Sequence, residues 1–462
     1  MGQSLPQAFL HQIEEQLGKE AAEFLATYEQ SRTHGLRLNE LKLDMTSPLW
    51  QQFIQHYKLE SIPWCSTGYY YEDQLRPGKH PYHTAGLYYI QEPSAMSAVE
   101  LLAPQPGETI LDLAAAPGGK TSHIASKLQG KGLLVSNEIH PERAKILAEN
   151  VERMGIPNVV VTSAAPDELS SRFEQSFDRI MLDAPCSGEG MFRKDENAIA
   201  EWSPDHVTMC AARQWDILQE AYLMLKPGGT LAYSTCTFNR QENEETVERF
   251  MSAFPDMELL QMKRLWPHQE QGEGHFVAVL RKSINADSST AAAIPSTSSK
   301  KKLKQRKSNS QEQQALDSLE QFRKMASEEW PGLVLPAGKP LLFGDSLYLL
   351  PTSERIQFQD EQLKGLRIPR AGLHLAHLKK NRMEPAHALA MTLRAEQARQ
   401  ALVLEVDAPE LRAYLRGETI AADSQLHGWV LVTVNGLPLG FGKASNGQLK
   451  NHLPKGLRIP NA

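Results

Sequence analysis

No stretch of this chain approaches the ~18 consecutive apolar residues that a membrane helix needs, so the sequence gives no reason to expect a membrane partner. Cysteine is scarce as well. Four residues, Cys65, Cys186, Cys210 and Cys236, are too few and too scattered for a disulfide framework. A reducing cytoplasm is therefore expected, with any reactive cysteine a free thiol. The opening MGQSLPQAFLHQIEEQL lacks a basic start ahead of an apolar run, so no secretory signal is expected, and Pro6 breaks the myristoylation pattern. No single charge sign dominates, since 49 basic residues face 55 acidic ones for a net charge of −6. The average hides basic patches at 300–307 (KKKLKQRK), at 364–382, and at the end of the chain with Lys443, Lys450, Lys455 and Arg458. Such patches suit a polyanion, or are simply solvated surface.

What is present is a globular composition, 41% hydrophobic and 23% charged, over a length of about three domains. Residues 283–315 contain no aromatic residue and are expected to be a flexible linker between a longer front part and a shorter back part. The front part alternates strand and helix signals. TILDL (109–113), GLLVSNE (132–138), NVVVT (158–162), DRIMLD (178–183), GTLAYS (229–234) and FVAVL (276–280) read as strands. KTSHIASKL reads as a helix, Pro141 opens another, and Trp215, Leu218, Tyr222 and Leu225 mark one face of a third. This alternation predicts an α/β fold, a doubly wound, mostly parallel sheet. Ligands then bind beyond the carboxyl ends of its strands, which directs attention to the loops after residues 113, 138, 183 and 234.

The first of these loops is AAAPGGKT, residues 114–121. Its glycines permit close backbone approach, with a helix N-terminus behind them. A P-loop would need Gly at 114, where Ala stands, so a nucleoside triphosphatase is rejected. Glu138 ends the second strand, 19 residues past Gly119, where nucleotide folds place an acid on ribose hydroxyls; otherwise it caps the next helix. Together they point to a nucleoside-containing cofactor. The third loop, LDAPCSGEGMFRKD (182–195), sets Asp183 beside Cys186, and the fourth, YSTCTF (233–238), brings Cys236. Two thiols at strand ends point to function over two inert core cysteines. His140, Glu142 and Cys186 imitate a zinc deaminase signature, but its second cysteine would fall at Glu189, so no metal is expected.

LDLAAAPGGKTSHIASKL, FDRIMLDAPCSGEGMFRKD, YSTCTFNRQENEETV and the lead-in YYIQEPSAM resemble the signature segments of the NOL/NOP/Sun family of RNA cytosine-5 methyltransferases. GWVLVTVNGLPLGFGKASNGQLKNHLPKGLR is similar to the PUA-like tail of that family's RsmF/YebU branch. The resemblance implies a Rossmann-like methyltransferase domain over 76–282, a small RNA-binding domain at 1–75, the linker at 283–315, an intermediate region at 316–395 and a PUA-like domain at 396–462. It implies S-adenosylmethionine as donor, held by Ala114, Ala115, Ala116, Pro117, Gly118, Gly119, Lys120, Glu138, Arg143 and Asp183. Cys236 is the nucleophile it implies, Cys186 the second thiol needed for product release, and Asp183 a group near cofactor and target base. Where the family has an acid or Asn against the adenine, this chain has Ser163 or Ala165.

The chemistry fits these residue types. Carbon 5 of cytosine is a poor nucleophile, and a thiolate adding to carbon 6 makes the ring enamine-like, which is covalent catalysis. Asp183 is placed to give a proton or hydrogen bond at ring nitrogen 3, a role open to it only when protonated. Lys120 or Lys194 would lower the thiol pKa. The target base must be flipped out or unpaired, and Trp64, Tyr69, Tyr70 and Tyr71 are either stacking residues for such bases or a buried aromatic cluster. The expected substrate is small-subunit (16S) ribosomal RNA, free or in the subunit, and the expected state a monomer in the cytoplasm. The alternatives are transfer RNA, or a non-catalytic ribosome-assembly factor, which has no need of the thiols. A DNA enzyme would attack through Cys186, and DNA is not expected as a partner.

Overall fold

In a computed structural model of the chain, the described residues are 4–285, 309–380 and 382–460. Eight strands form the central sheet: β1 (Thr109–Asp112), β2 (Leu133–Asn137), β3 (Val159–Thr162), β4 (Phe177–Asp183), β5 (Leu225–Thr235), β6 (Met257–Leu265), β7 (His275–Lys282) and β8 (Arg370–Ala371). Their spatial order is β6-β7-β5-β4-β1-β2-β3-β8. The β1 to β5 pairings are parallel, while β7 runs antiparallel to β5 and β6, and β8 antiparallel to β3. Ile110, Leu111, Leu134, Val160 and Ile180 are fully buried. Short continuous apolar runs of this kind suit strands covered on both faces by helices. The expected doubly wound sheet is thus present.

The helices α1 (Gly119–Leu128), α2 (Pro141–Arg153) and α3 (Pro204–Met224) connect these strands. Pro141 sits in the first turn of α2, where its missing N–H costs nothing, and Ala144, Leu147 and Val151 are the face it buries. In α3, Leu218 and Tyr222 are buried as the spacing predicts, but Leu225 opens β5, its φ of −77° and ψ of 126° already extended. Pro227 two residues on cannot continue a helix.

A four-stranded sheet precedes the central one, ordered Glu60–Ile62, Cys65–Tyr70, Gly35–Leu38, Tyr88–Ile90. Its last strand lies beyond residue 75. Tyr69 and Tyr70 are buried in or beside it, Tyr69 edge-on to Trp50 at 5.4 Å, and Trp64 donates to the Pro93 carbonyl at 2.8 Å. The buried-cluster reading of these aromatics therefore holds for Tyr69 and Tyr70.

The back part forms a four-stranded sheet within 338–385 and a five-stranded one within 401–451. Residues 286–308 of the expected linker lie outside the described residues, and its last residues, 309–315, belong instead to helix α4 (Asn309–Glu329). Ala315, Leu319, Phe322 and Ala326 recur at helical spacing and are buried, in a cluster with Trp330 and Leu349 for the last three, which is why the helix starts before the expected boundary.

Front and back parts also share cores. Trp50, Tyr82 and Tyr88 pack in one cluster with Leu404, Tyr414 and Leu439. Phe358 and Leu366 join the core of the central sheet, the Phe358 ring 6.0 Å from Phe173. The stretch 364–382 is consequently not a row of free cations: Arg370 is buried on Glu152 at 3.1 Å, Lys379 pairs with Asp345 at 3.3 Å and Arg382 with Glu384 at 2.8 Å. Cutting the chain after Lys282 would strip β8 from the edge of β3 and uncover this core, at about 1.5–3 kcal/mol per large apolar side chain. Such a fragment is expected to aggregate or to lose its cooperative thermal transition in calorimetry. A soluble fragment that melts cooperatively would show the back part to be detachable.

Candidate active site

The glycine loop leaves β1 and enters α1. Gly118 holds φ at +115°, a region that favours glycine, and α1 begins one residue later. The loop is tied down by its neighbours: Ala115 N donates to the Asn137 carbonyl at 2.8 Å, Arg143 Nη2 to the Ala116 carbonyl at 2.9 Å, and Asn150 Nδ2 to the Pro117 carbonyl at 2.9 Å. Glu138 is buried at the end of β2, accepting from His140 N at 3.0 Å and facing Arg143 Nη1 at 3.4 Å. Arg143 thus links the loop to the acid. Beside them Asp112 accepts from Thr121 Oγ1 at 2.6 Å through one oxygen, while its buried Oδ1 has no hydrogen-bond partner. Burial pushes this carboxyl up to about 7. An orphaned buried acceptor, a glycine cradle and a buried acid suit a ligand with ammonium and ribose donors. Past β3, Ser163 N donates to the Arg367 carbonyl at 2.8 Å, so the back part reaches the loop that follows β3.

The reactive rim is formed by β4, β5 and β7. Asp183 ends β4, with Lys120 Nζ 2.7 Å from one oxygen and Ser234 Oγ donating to the other at 2.8 Å. Burial, the largest single influence, would raise this carboxyl, but the Lys120 charge, the neighbouring His275 and the hydrogen bonds from Lys120 and Ser234 together outweigh it and hold Asp183 below its ordinary value. It is therefore a carboxylate that accepts hydrogen bonds. Because β4 and β5 are neighbours, Cys186 Sγ and Cys236 Sγ come within 3.3 Å. The Cys186 thiol is pushed well up, first by its hydrogen bond to Cys236 and then by burial.

Two buried carboxyls clamp the thiol loops together. Glu242 accepts from Ser187 N and Gln214 Nε2, each at 2.9 Å. Glu189 accepts from Phe238 N at 2.8 Å and Trp202 Nε1 at 3.1 Å. Burial pushes Glu189 up to about 7 and raises Glu242. Both lie inside the signature segments, but spacing gives no sign that they bridge two loops. His275 was also hidden from the sequence. It opens β7, and an antiparallel strand starts on the rim where its parallel neighbours end.

The sheet defines a Rossmann-like methyltransferase, and its rim carries a pair of thiols. Residues 99–281 match the family model for 16S rRNA methyltransferase RsmB/F, 5–93 the N-terminal domain of 16S rRNA methyltransferase RsmF, 321–393 the RsmF rRNA methyltransferase first C-terminal domain and 401–459 the methyltransferase RsmF PUA domain. Ribosomal RNA small subunit methyltransferase F of Vibrio vulnificus (strain YJ016) is 31% identical over 98% of this chain and 97% of its own length. The protein of the same name from Klebsiella pneumoniae (strain 342) is 32% identical over 98% and 96%. The chain belongs to the ribosomal RNA small subunit methyltransferase F family. Among solved structures, a methyltransferase homolog protein from Pyrococcus horikoshii is 28% identical with a TM-score of 0.55, covering 60% of this chain and 95% of that one. NSun6 of Pyrococcus horikoshii shares the fold at 21% identity and a TM-score of 0.54, over 60% of this chain and 98% of that one.

Proposed function

We propose that this chain methylates carbon 5 of a cytosine in 16S ribosomal RNA, acting as a monomer in the cytoplasm, with neither DNA nor a membrane as partner. The observation that carries the reading is the thiol pair, Cys186 and Cys236, 3.3 Å apart at the strand ends. S-adenosylmethionine, held by the loop 114–120, Asp112 and Glu138, supplies the methyl group. Cys236 Sγ bonds to carbon 6 of the base, and the electron pair moves to carbon 5, which takes the methyl. Asp183 accepts from the base edge while Lys120 donates to it as charge develops there. Once Cys236 is a neutral thioether, the main cause of the raised Cys186 pKa is gone. Cys186 is then free to ionise and remove the carbon-5 proton, and the Cys236–carbon 6 bond breaks to restore the thiolate.

For RNA grip the reading rests on the tail. Lys443 and Lys450 face each other across paired strands, both exposed. Like charges directly opposite are unfavourable in a lone sheet, and a phosphate between them removes the cost. No helix among the described residues is long and apolar enough to cross a membrane. Purified protein given S-adenosylmethionine should convert cytosine to 5-methylcytosine in 16S RNA, bare or in the small subunit, as mapped by bisulfite sequencing. Methylation of transfer RNA alone would favour the second substrate, and none at all would leave an assembly factor.

A further inference from the structure

His275 is the first residue of β7, and the register pairs the next residue, Phe276, with Thr235. This places His275 beside Cys236 on the reactive rim. The side chain is 3% exposed, yet its Nε2 has no hydrogen-bond partner among the described residues. The carboxylate oxygen Asp183 Oδ1 stands 3.8 Å away, too far for a hydrogen bond. A buried polar atom left without a partner is unfavourable and calls for an explanation.

The backbone that leads into His275 is nevertheless tied down. Glu92, from the YYIQEPSAM lead-in, accepts from Glu273 N at 2.9 Å and from Ser94 N at 3.0 Å. Gly274 has φ of +101°, and a Cβ there would sit 2.5 Å from the Phe238 ring. Around the imidazole stand Asp183, Lys120, Glu92 and Lys194. Burial first, then the Lys120 charge, takes His275 down to about 4, so at neutral pH it carries one N–H and one lone pair.

We propose that His275 Nε2 is a second acceptor for the exocyclic amine of the target cytosine, Asp183 Oδ1 being the first. An amine has two N–H donors, and these two acceptors lie 3.8 Å apart. Uracil presents a carbonyl oxygen in place of the amine, which would set three acceptors together. His275 is then a specificity-determining residue that selects cytosine over uracil. This rests on the proposed cytosine chemistry.

The test compares two synthetic RNAs that differ at the mapped target position, one with cytosine and one with 2-pyrimidinone, which lacks the amine. The readout is the rate of covalent protein–RNA adduct formation. His275→Phe should slow the reaction with cytosine roughly 10-fold and leave the 2-pyrimidinone rate unchanged. His275→Gln, which restores an acceptor, should recover part of the cytosine rate. Equal losses on both RNAs would overturn the proposal and make His275 a packing residue, as would full cytosine activity in His275→Phe. If His275→Phe fails to fold, the same cytosine-to-2-pyrimidinone ratio read in His275→Gln and His275→Ala decides between these outcomes. Wild-type protein inactive on both RNAs would instead remove the cytosine chemistry itself.

Discussion

Cys236→Ala should abolish methyl transfer and yield no covalent protein–RNA adduct, whereas Cys186→Ala should accumulate one. The difference follows from which sulfur attacks. The hydrogen bond to Cys236 and burial raise the Cys186 thiol, which favours Cys236 as the attacking sulfur. Its removal eliminates the first bond-forming step, and loss of a nucleophile lowers the rate by about 10⁴- to 10⁶-fold. Without Cys186 the attack and methyl transfer still run, but the carbon-5 proton has no adjacent sulfur to receive it. The thioether then persists, seen as a ribonuclease-sensitive band of raised mass on a denaturing gel. An adduct in Cys236→Ala but not in Cys186→Ala would exchange the two assignments. Full activity in both would end covalent catalysis.

The parts of this site that were legible in the sequence are those tied to strand ends. A buried apolar run followed by a glycine loop, an acid or a cysteine marks a parallel strand and its carboxyl rim, so Gly118, Glu138, Asp183, Cys186 and Cys236 could be found from local pattern alone. The 3.3 Å contact of the two thiols needed only the adjacency of β4 and β5 in addition. Glu189, Glu242 and His275 were not legible, because their roles depend on which loops meet. A buried carboxylate in a polar segment looks like surface until its donors, Phe238 N or Ser187 N, are seen. His275 sits at a strand start, and only the antiparallel direction of β7 brings that start to the rim.

The same physical limit explains the basic stretch. Arg370 has the composition of a phosphate contact, yet two residues of strand pairing, Arg370 on Val161 and Ala371 on Val160, bury it against Glu152. So short a strand leaves almost no periodic signal. Glu152 also accepts from His387 Nδ1 at 2.8 Å, and His387 Nε2 reaches the Leu439 carbonyl at 3.1 Å. The acid lies on α2, the helix whose Arg143 ties the glycine loop to Glu138. A linker in the sequence therefore separated segments that the fold joins through one half-buried acid, Glu152.

Lys120→Met should lower kcat/KM by roughly 10²- to 10⁴-fold, the range for a lost proton-handling group, and should move the acid limb of its pH profile upward. Lys120 is the counter-charge of Asp183 at 2.7 Å and also lowers Asp112. With it gone, burial acts unopposed by that charge, and both carboxyls rise. The sign for stability follows. In the wild type the lowered Asp183 contributes stability above its unfolded pKa and loses it as pH falls through the folded value. In the variant both carboxyls are disfavoured as anions, so stability falls as pH rises. The deficit of the variant is therefore small near pH 5 and grows toward pH 8. Removing one partner of a buried pair costs ~3–5 kcal/mol, but the Asp183 side chain is 37% exposed, and solvent screening reduces the expected deficit at pH 8 to about 1–3 kcal/mol. Thermal melts at the two pH values measure it. A deficit that is the same at both, with an unmoved acid limb, would mean that Lys120 serves packing and not the charge of Asp183.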